Sequence, residues 1–282
     1  MGNLLITVDT ENWYNSRLFD AKRAKTSNES KKMNNAESDL LATLEVFSEL
    51  KIKGTFFVLG SLLEEHPNIL HEILKDGHEA GMHAYNHDMH YETEEFKVDV
   101  LKGLKVFRQL GHFPKGYRHP YFNISAEKMN VLSEFFEYDA SLVPSLPIPG
   151  HYGSPFAFTK PFLYRGLVEL PLSVFPYLRL PAATGWYLRN LGYTYLRTML
   201  NHGLKKAGVA VLCLHTWEFT EKPTLHKVPK HVFKNTGRPM INLLFKLIES
   251  YERDSVLITT CTEYTHSLQK KSIRLTSLTH MF

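Results

Sequence analysis

Two histidines four residues apart, His83 and His87, lie in Gly81-Met82-His83-Ala84-Tyr85-Asn86-His87, directly after a short apolar run. Imidazoles at this spacing can share one divalent ion. The pair alone says little, because fifteen histidines in 282 residues give about one such pair by chance. Three further segments carry competent side chains. Asp9 and Glu11 follow the apolar run Leu4-Leu5-Ile6-Thr7-Val8, Arg118 follows Gly116-Tyr117, and His215 follows the run Val209 to Leu214. If those runs are strands, four strand ends present ligating or charged groups. Two imidazoles and one carboxylate form a set typical of zinc hydrolases, with an open position for water. A second carboxylate can act as general base, and a further histidine can protonate a leaving amine. Arg118 is expected to orient the base carboxylate through a bidentate pair. The residues leave open which of Asp9 and Glu11 joins the histidines.

The elements that must position these groups alternate. Buried strands are read at 4–8, 54–60, 79–82, 167–170, 208–214 and 255–260, with strand ends at Arg118 and at Tyr138-Asp139. Helical spacing is read at 39–50, 67–75, 92–109, 126–135 (capped by Ser125), 186–206 and 240–251. Residues 144–185 are rich in Pro and aromatics and, apart from 167–170, read as irregular. Strand and helix alternate about seven times, which predicts an α/β fold: a distorted (β/α)7-type barrel in a single domain. In such barrels chemistry sits on the loops after the strands. Residues 1–265 are assigned to the barrel, with a polar insertion at about 15–38. Residues 266–282 form a basic-apolar tail.

Composition excludes some classes. Net charge is +4, too small to argue for nucleic acid. Cys213 and Cys261 sit in apolar runs and read as reduced core residues. No apolar run has the length of a membrane span, and Met1-Gly2-Asn3-Leu4 enters a strand with no signal-peptide pattern. A cytoplasmic protein is therefore expected, peripheral on the inner membrane face if it binds lipid. The basic helix from Arg189 to Lys206 and the tail after His266 are compatible with such a contact, although an ordinary outer helix and a frayed terminus would look the same.

The motifs resemble the polysaccharide deacetylase family, also called the NodB-homology or carbohydrate esterase family 4. Its T-F-D-D-G motif is matched by Thr7-Val8-Asp9-Thr10-Glu11, and its H-x3-H motif by His83 to His87. Its R-x-P-Y motif is matched by Arg118-His119-Pro120-Tyr121, and its late leucine-histidine motif by Leu214-His215. The order is the family's and the motifs span residues 4–219. One departure is Thr10, where the family carries its second aspartate. The chain is similar to a branch with D-x-E-D-W and L-H-P-W-E, matched here by Asp9-Thr10-Glu11-Asn12-Trp13 and Leu214-His215-Thr216-Trp217-Glu218. The branch's Y-D-S-S and E-x-P-x-S segments are echoed by Tyr138-Asp139-Ala140-Ser141 and Glu169-Leu170-Pro171-Leu172-Ser173. Its G-G-x-Y-x-R segment is matched in part by Thr184 to Arg189.

The resemblance implies roles. Asp9 is the general base and Arg118 holds it. Glu11, His83 and His87 bind a divalent metal, with Zn2+ favoured and Co2+, Ni2+ or Fe2+ able to fit the same ligands. The backbone N–H of Tyr121 serves the oxyanion, and His215 is the general acid. Trp13, Trp186 and Trp217 are candidate walls of a sugar-binding cleft or plain packing. Asp139 is a candidate partner of His215, while Glu218 is read as structural or outlying. His90, His119 and His151 read as bystanders. The implied activity is removal of the N-acetyl group from an N-acetylated amino sugar, polymeric, lipid-linked or nucleotide-linked. The alternatives are an amidase or deformylase on a small non-sugar amide and a non-catalytic carbohydrate-binding relative. Oligomeric state is left open.

Overall fold

The computed structural model describes residues 2–15, 35–89, 92–148, 153–175, 178–222, 228–270 and 277–278. Most of the polar insertion, His90, His151, and tail residues 271–276 and 279–282 lie outside them. Strands β1 (Asn3–Thr10), β2 (Thr55–Val58), β3 (Glu79–Met82), β4 (Gly116–Tyr117) and β5 (Tyr138–Asp139) come in order, each beside the last. A hairpin of β6 (Phe162–Tyr164) and β7 (Leu167–Glu169) follows, then a small hairpin of β8 (Val174–Phe175) and β9 (Leu180–Pro181). The strand β10 (Val209–His215) returns to pair with β1, and β11 (Leu257–Thr259) pairs with the start of β1. Seven strands thus run parallel in the order β10-β1-β2-β3-β4-β5-β7 among the described residues.

The sheet curls into a half-barrel, as the alternating pattern predicts. Extended chain spans from β5 to β10 past the end of β7. Leu172 N–H donates to Leu142 O (2.9 Å), Ser173 N–H to Val211 O (3.2 Å) and Cys213 N–H to Ala183 O (2.9 Å). Buried backbone needs such partners, and here they tie a proline-rich segment to the barrel wall.

Outer helices pack their apolar stripes on this sheet. They are α1 (Ala36–Glu49), α2 (Gly60–Glu65), α3 (Asn68–Lys75), α4 (Thr93–Gln109) and α5 (Ala126–Leu132), then α6 (Gly185–Leu191), α7 (Tyr193–Ala207), α8 (Lys230–Phe233), α9 (Arg238–Arg253) and α10 (Cys261–Lys270). Asn35 and Ser125 cap α1 and α5 through their side chains. The single helix expected at 186–206 is two, because Gly192 at φ 86° breaks the ladder between α6 and α7. Within the tail, residues 266–270 complete α10 and β12 (Ser277–Leu278) pairs with β6. Among the described residues no helix is long and apolar enough to cross a membrane.

Candidate active site

Parallel strands deliver their carboxyl ends to one side, and four of them carry the chemistry. β1 ends beside Asp9 and Glu11, β3 beside His83, β4 beside Arg118, and β10 at His215. All but Arg118, which lies behind Asp9, line a cavity of about 390 Å³, where Asp9, Glu11, His83, His87 and His215 meet Tyr121 among others.

The structure groups Glu11, rather than Asp9, with the histidines. Glu11 Oε2 lies 2.6 Å from His87 Nε2 and 4.0 Å from His83 Nε2. The three ligand atoms all fall within 4.8 Å of one another. A tetrahedral ion with bonds of roughly 2.0–2.2 Å needs ligand atoms about 3.3–3.6 Å apart. Glu11 Oε2 is buried and faces only the two imidazoles, which suits a cation ligand better than a structural carboxylate. His83 is preset for ligation: its Nδ1–H donates to Arg118 O (2.8 Å), leaving the Nε2 lone pair toward Glu11. Burial also drives the His83 pKa down to about 4, so the ring is neutral and free to ligate. The donor types, their burial and the neutral His83 ring therefore fit a divalent ion, with Glu11 drawing back from His87 to admit it.

The loop between the two histidines is pinned from beneath. Asp99 of α4 accepts from Tyr85 N–H (2.7 Å) and Asn86 N–H (3.1 Å), and Ala84 sits at φ 64°. Such a backbone persists only where its surroundings over-determine it. Tyr121, also left-handed at φ 57°, packs its ring edge-on to His87 at 4.4 Å between centroids. Lys128 joins the two loops: buried Nζ donates to Met89 O (3.0 Å) and Asn123 O (2.9 Å).

Asp9 occupies the neighbouring position. Arg118 is fully buried, and its Nη1 donates to Asp9 Oδ1 (3.0 Å) and Thr7 Oγ1 (2.7 Å), while Nε donates to Ala140 O (2.9 Å). The bidentate pair expected from sequence is thus a single contact: Nη1 is shared between Asp9 and Thr7, Nε turns to Ala140 O, and Nη2 has no hydrogen-bond partner. Burial alone would raise the Asp9 pKa, but Arg118, with His83 and His215, brings it down to about 2. Asp9 is ionised across the working pH range.

His215 faces both carboxylates: its Nε2 is 4.0 Å from Asp9 Oδ2 and 3.8 Å from Glu11 Oε1. Its partner is Glu218, not Asp139. The 3-10 turn Thr216–Phe219 folds Glu218 back, so that His215 N–H donates to Glu218 Oε2 (2.9 Å) and His215 Nδ1 lies 3.6 Å from the same oxygen. Arg189 of α6 anchors the carboxylate, its Nε donating to Oε1 at 2.8 Å. A Cβ at Gly185 would stand 2.0 Å from Glu218 Oε2, so only glycine lets α6 approach this closely. Burial opposes a charge on His215, yet Glu218, Glu11 and Asp9 together raise its pKa to about 9. It therefore holds a proton at neutral pH. Activity that needs this proton should fall as pH rises through the His215 pKa. Glu218→Gln should move that alkaline limb to lower pH relative to wild type. A dication bound nearby would shift both limbs, so the difference between the two pH–kcat profiles is the readout; coincident profiles would remove Glu218 from this role.

Asp139 is placed elsewhere. Its Oδ1 accepts from Ser141 Oγ (2.6 Å), and it pairs with Glu169 across β5 and β7. Burial raises both carboxyls, Glu169 the more because Asp139 adds its charge. Trp13 does not line the cavity: it is 3% exposed and packs in a cluster with Trp217, Val232 and Phe233. Trp186 and Trp217 do line it, with Tyr187, His231 and Val232. His119 is turned away, its Nδ1 donating to Pro120 O (2.7 Å).

Residues 35–136 match the family model described as polysaccharide deacetylase, and residues 140–249 match one described as a domain of unknown function. Peptidoglycan-N-acetylglucosamine deacetylase PgdA of Listeria monocytogenes is 37% identical over 81 residues, covering 28% of this chain and 17% of that protein. A peptidoglycan-N-acetylglucosamine deacetylase of Bacillus cereus is 32% identical over 102 residues, covering 34% of this chain and 37% of that protein. The similarity therefore spans well under half of these relatives. A solved Mycobacterium smegmatis chain assigned to the polysaccharide deacetylases superposes with a TM-score of 0.67 at 19% identity, covering 99% of this chain and 94% of that one. Puue allantoinase superposes at 0.64 with 12% identity, covering 95% and 90%; at these identities the likeness is one of fold. Residues 35–136 thus resemble the polysaccharide deacetylase family, and the solved neighbours share the fold.

Proposed function

We propose that the chain is a metal-dependent hydrolase that removes the N-acetyl group from an N-acetylated amino sugar. One observation carries this reading: the triad Glu11–His83–His87 shares a cavity with an ionised Asp9 and a protonated His215. Glu11, His83 and His87 would hold a divalent ion, which supplies Lewis-acid polarisation and a more acidic water. Zinc suits the ligand set. Asp9, kept ionised by Arg118, takes the proton of the attacking water. The Tyr121 N–H donates to the carbonyl oxygen as negative charge builds there. His215 gives its proton to the departing nitrogen, and Glu218 keeps that proton in place beforehand. Trp186 and Trp217 offer apolar faces to sugar C–H groups. The relatives named for peptidoglycan deacetylation support a sugar amide as substrate.

Acetate release from N-acetylglucosamine oligomers, a lipid-linked and a nucleotide-linked N-acetylamino sugar, and small cyclic or formyl amides tests the assignment. Acetate from at least one sugar substrate is expected. Turnover confined to the small amides, or sugar binding without acetate release, would overturn it.

A further inference from the structure

Residues 140–180 carry three basic side chains, Lys160, Arg165 and Arg179, against one acidic residue, the buried Glu169. Two loops of this basic stretch are joined by Arg179. Its Nη1 donates to Ala157 O (2.6 Å) and Pro144 O (3.2 Å), and Leu146 N–H donates to Arg179 O (2.7 Å). These bonds gather the side chains that flank them. Phe156 and Phe158 stand on either side of Ala157, Leu178 and Leu180 on either side of Arg179, and Leu146 beside both. All five are exposed, Phe156 by 97% and Leu178 by 60%. Phe158 rests on Phe162 (5.6 Å between centroids), and the exposed Lys160 follows it.

We propose that this patch docks the chain on an anionic lipid bilayer. Apart from Phe158, which rests on the core residue Phe162, its apolar side chains project outward from two cross-linked loops, a form suited to insertion among acyl chains. Arg179 and Lys160 lie among them, and this stretch offers no exposed carboxylate to repel lipid phosphates. The patch also adjoins the site. Ile148, two residues beyond Leu146, and Thr184, four beyond Leu180, line the cavity. A bilayer beneath the patch would bring a head group level with that mouth. On the deacetylase reading above, the substrate class is then a lipid-linked N-acetylamino sugar.

The test is co-sedimentation of the full chain with phosphatidylcholine vesicles, with and without phosphatidylglycerol, for wild type and the Phe156→Ser/Leu178→Ser double variant. Both side chains are exposed and outside the site, so acetate release from a soluble sugar oligomer should be unchanged. Wild type should bind the anionic vesicles about tenfold more strongly than the double variant and bind neutral vesicles weakly. Equal sedimentation of both proteins, or none by wild type, overturns the proposal. So does a wild-type dimer in light scattering that the double variant loses while vesicle binding persists, which would give the patch to a second copy. Vesicle binding is read without catalysis, so absence of acetate release with sedimentation intact would count against the deacetylase reading alone.

Discussion

His83→Ala is expected to lose the bound divalent metal and with it at least about 10³-fold in kcat, because a two-residue remnant of a three-ligand site binds weakly. The ring is already neutral, its tautomer fixed by Arg118 O, and its Nε2 turned to Glu11. Removing it leaves Glu11 and His87 still 2.6 Å apart, as an ion pair in place of two ligands. Elemental analysis after gel filtration checks metal content, and thermal melting shows whether the barrel survives. A His83→Ala protein that retains stoichiometric metal and full acetate release would remove the triad from the mechanism.

Arg118→Met should be the most damaging substitution for stability. It leaves the Asp9 carboxylate buried without its main partner, a loss of about 3–5 kcal/mol, and lowers Tm by roughly 10 °C. Thr7 Oγ1 and Ala140 O lose donors in the same step. The pH dependence has a definite sign. Asp9 has its pKa lowered from 3.8 to about 2 in the folded chain, so its contribution to stability is complete above 3.8 and is lost as pH falls toward about 2. Without Arg118 burial dominates and the carboxyl pKa moves up, so melting near neutral pH should suffer most. Activity should fall with it, because a protonated Asp9 cannot accept the proton of water. Differential scanning calorimetry across pH 2–8 measures the stability change and acetate release the activity; an unchanged Tm at pH 7 would contradict the assigned pairing.

Much of the site was legible because strand ends in a parallel sheet are fixed by short apolar runs. Leu4 to Val8, Glu79 to Met82 and Val209 to Leu214 announce themselves, and each delivers the next polar residue to the same rim. Glu218 was harder to see. Its role depends on the 3-10 turn at 216–219 and on Gly185 giving room, neither of which has a periodic signature. Arg189 was misread for the same reason: among Arg197, Lys205 and Lys206 it looks like a surface base, yet it is buried against Glu218. A sharper indication was present in the spacing of His215 and Glu218, three apart as a capping pair would be. Trp13 stands beside a candidate ligand in sequence, but the 3-10 turn Trp13–Asn15 turns its ring into the Trp217–Phe233 cluster. Asp99 and Lys128 act through backbone atoms of distant loops, contacts that leave no local pattern. Strand β6 and helix α10 escaped because each is too short for its period to stand out.

On the proposed mechanism two neighbouring carboxylates divide the labour, Glu11 holding the metal and Asp9 working as base. Metal content and acetate release measured side by side on Glu11→Ala and Asp9→Asn test it directly. Glu11→Ala should lose both metal and activity, whereas Asp9→Asn should keep the metal near one ion per chain and lose acetate release by about 10²–10⁴-fold. Metal lost from Asp9→Asn and retained in Glu11→Ala would contradict the assignment.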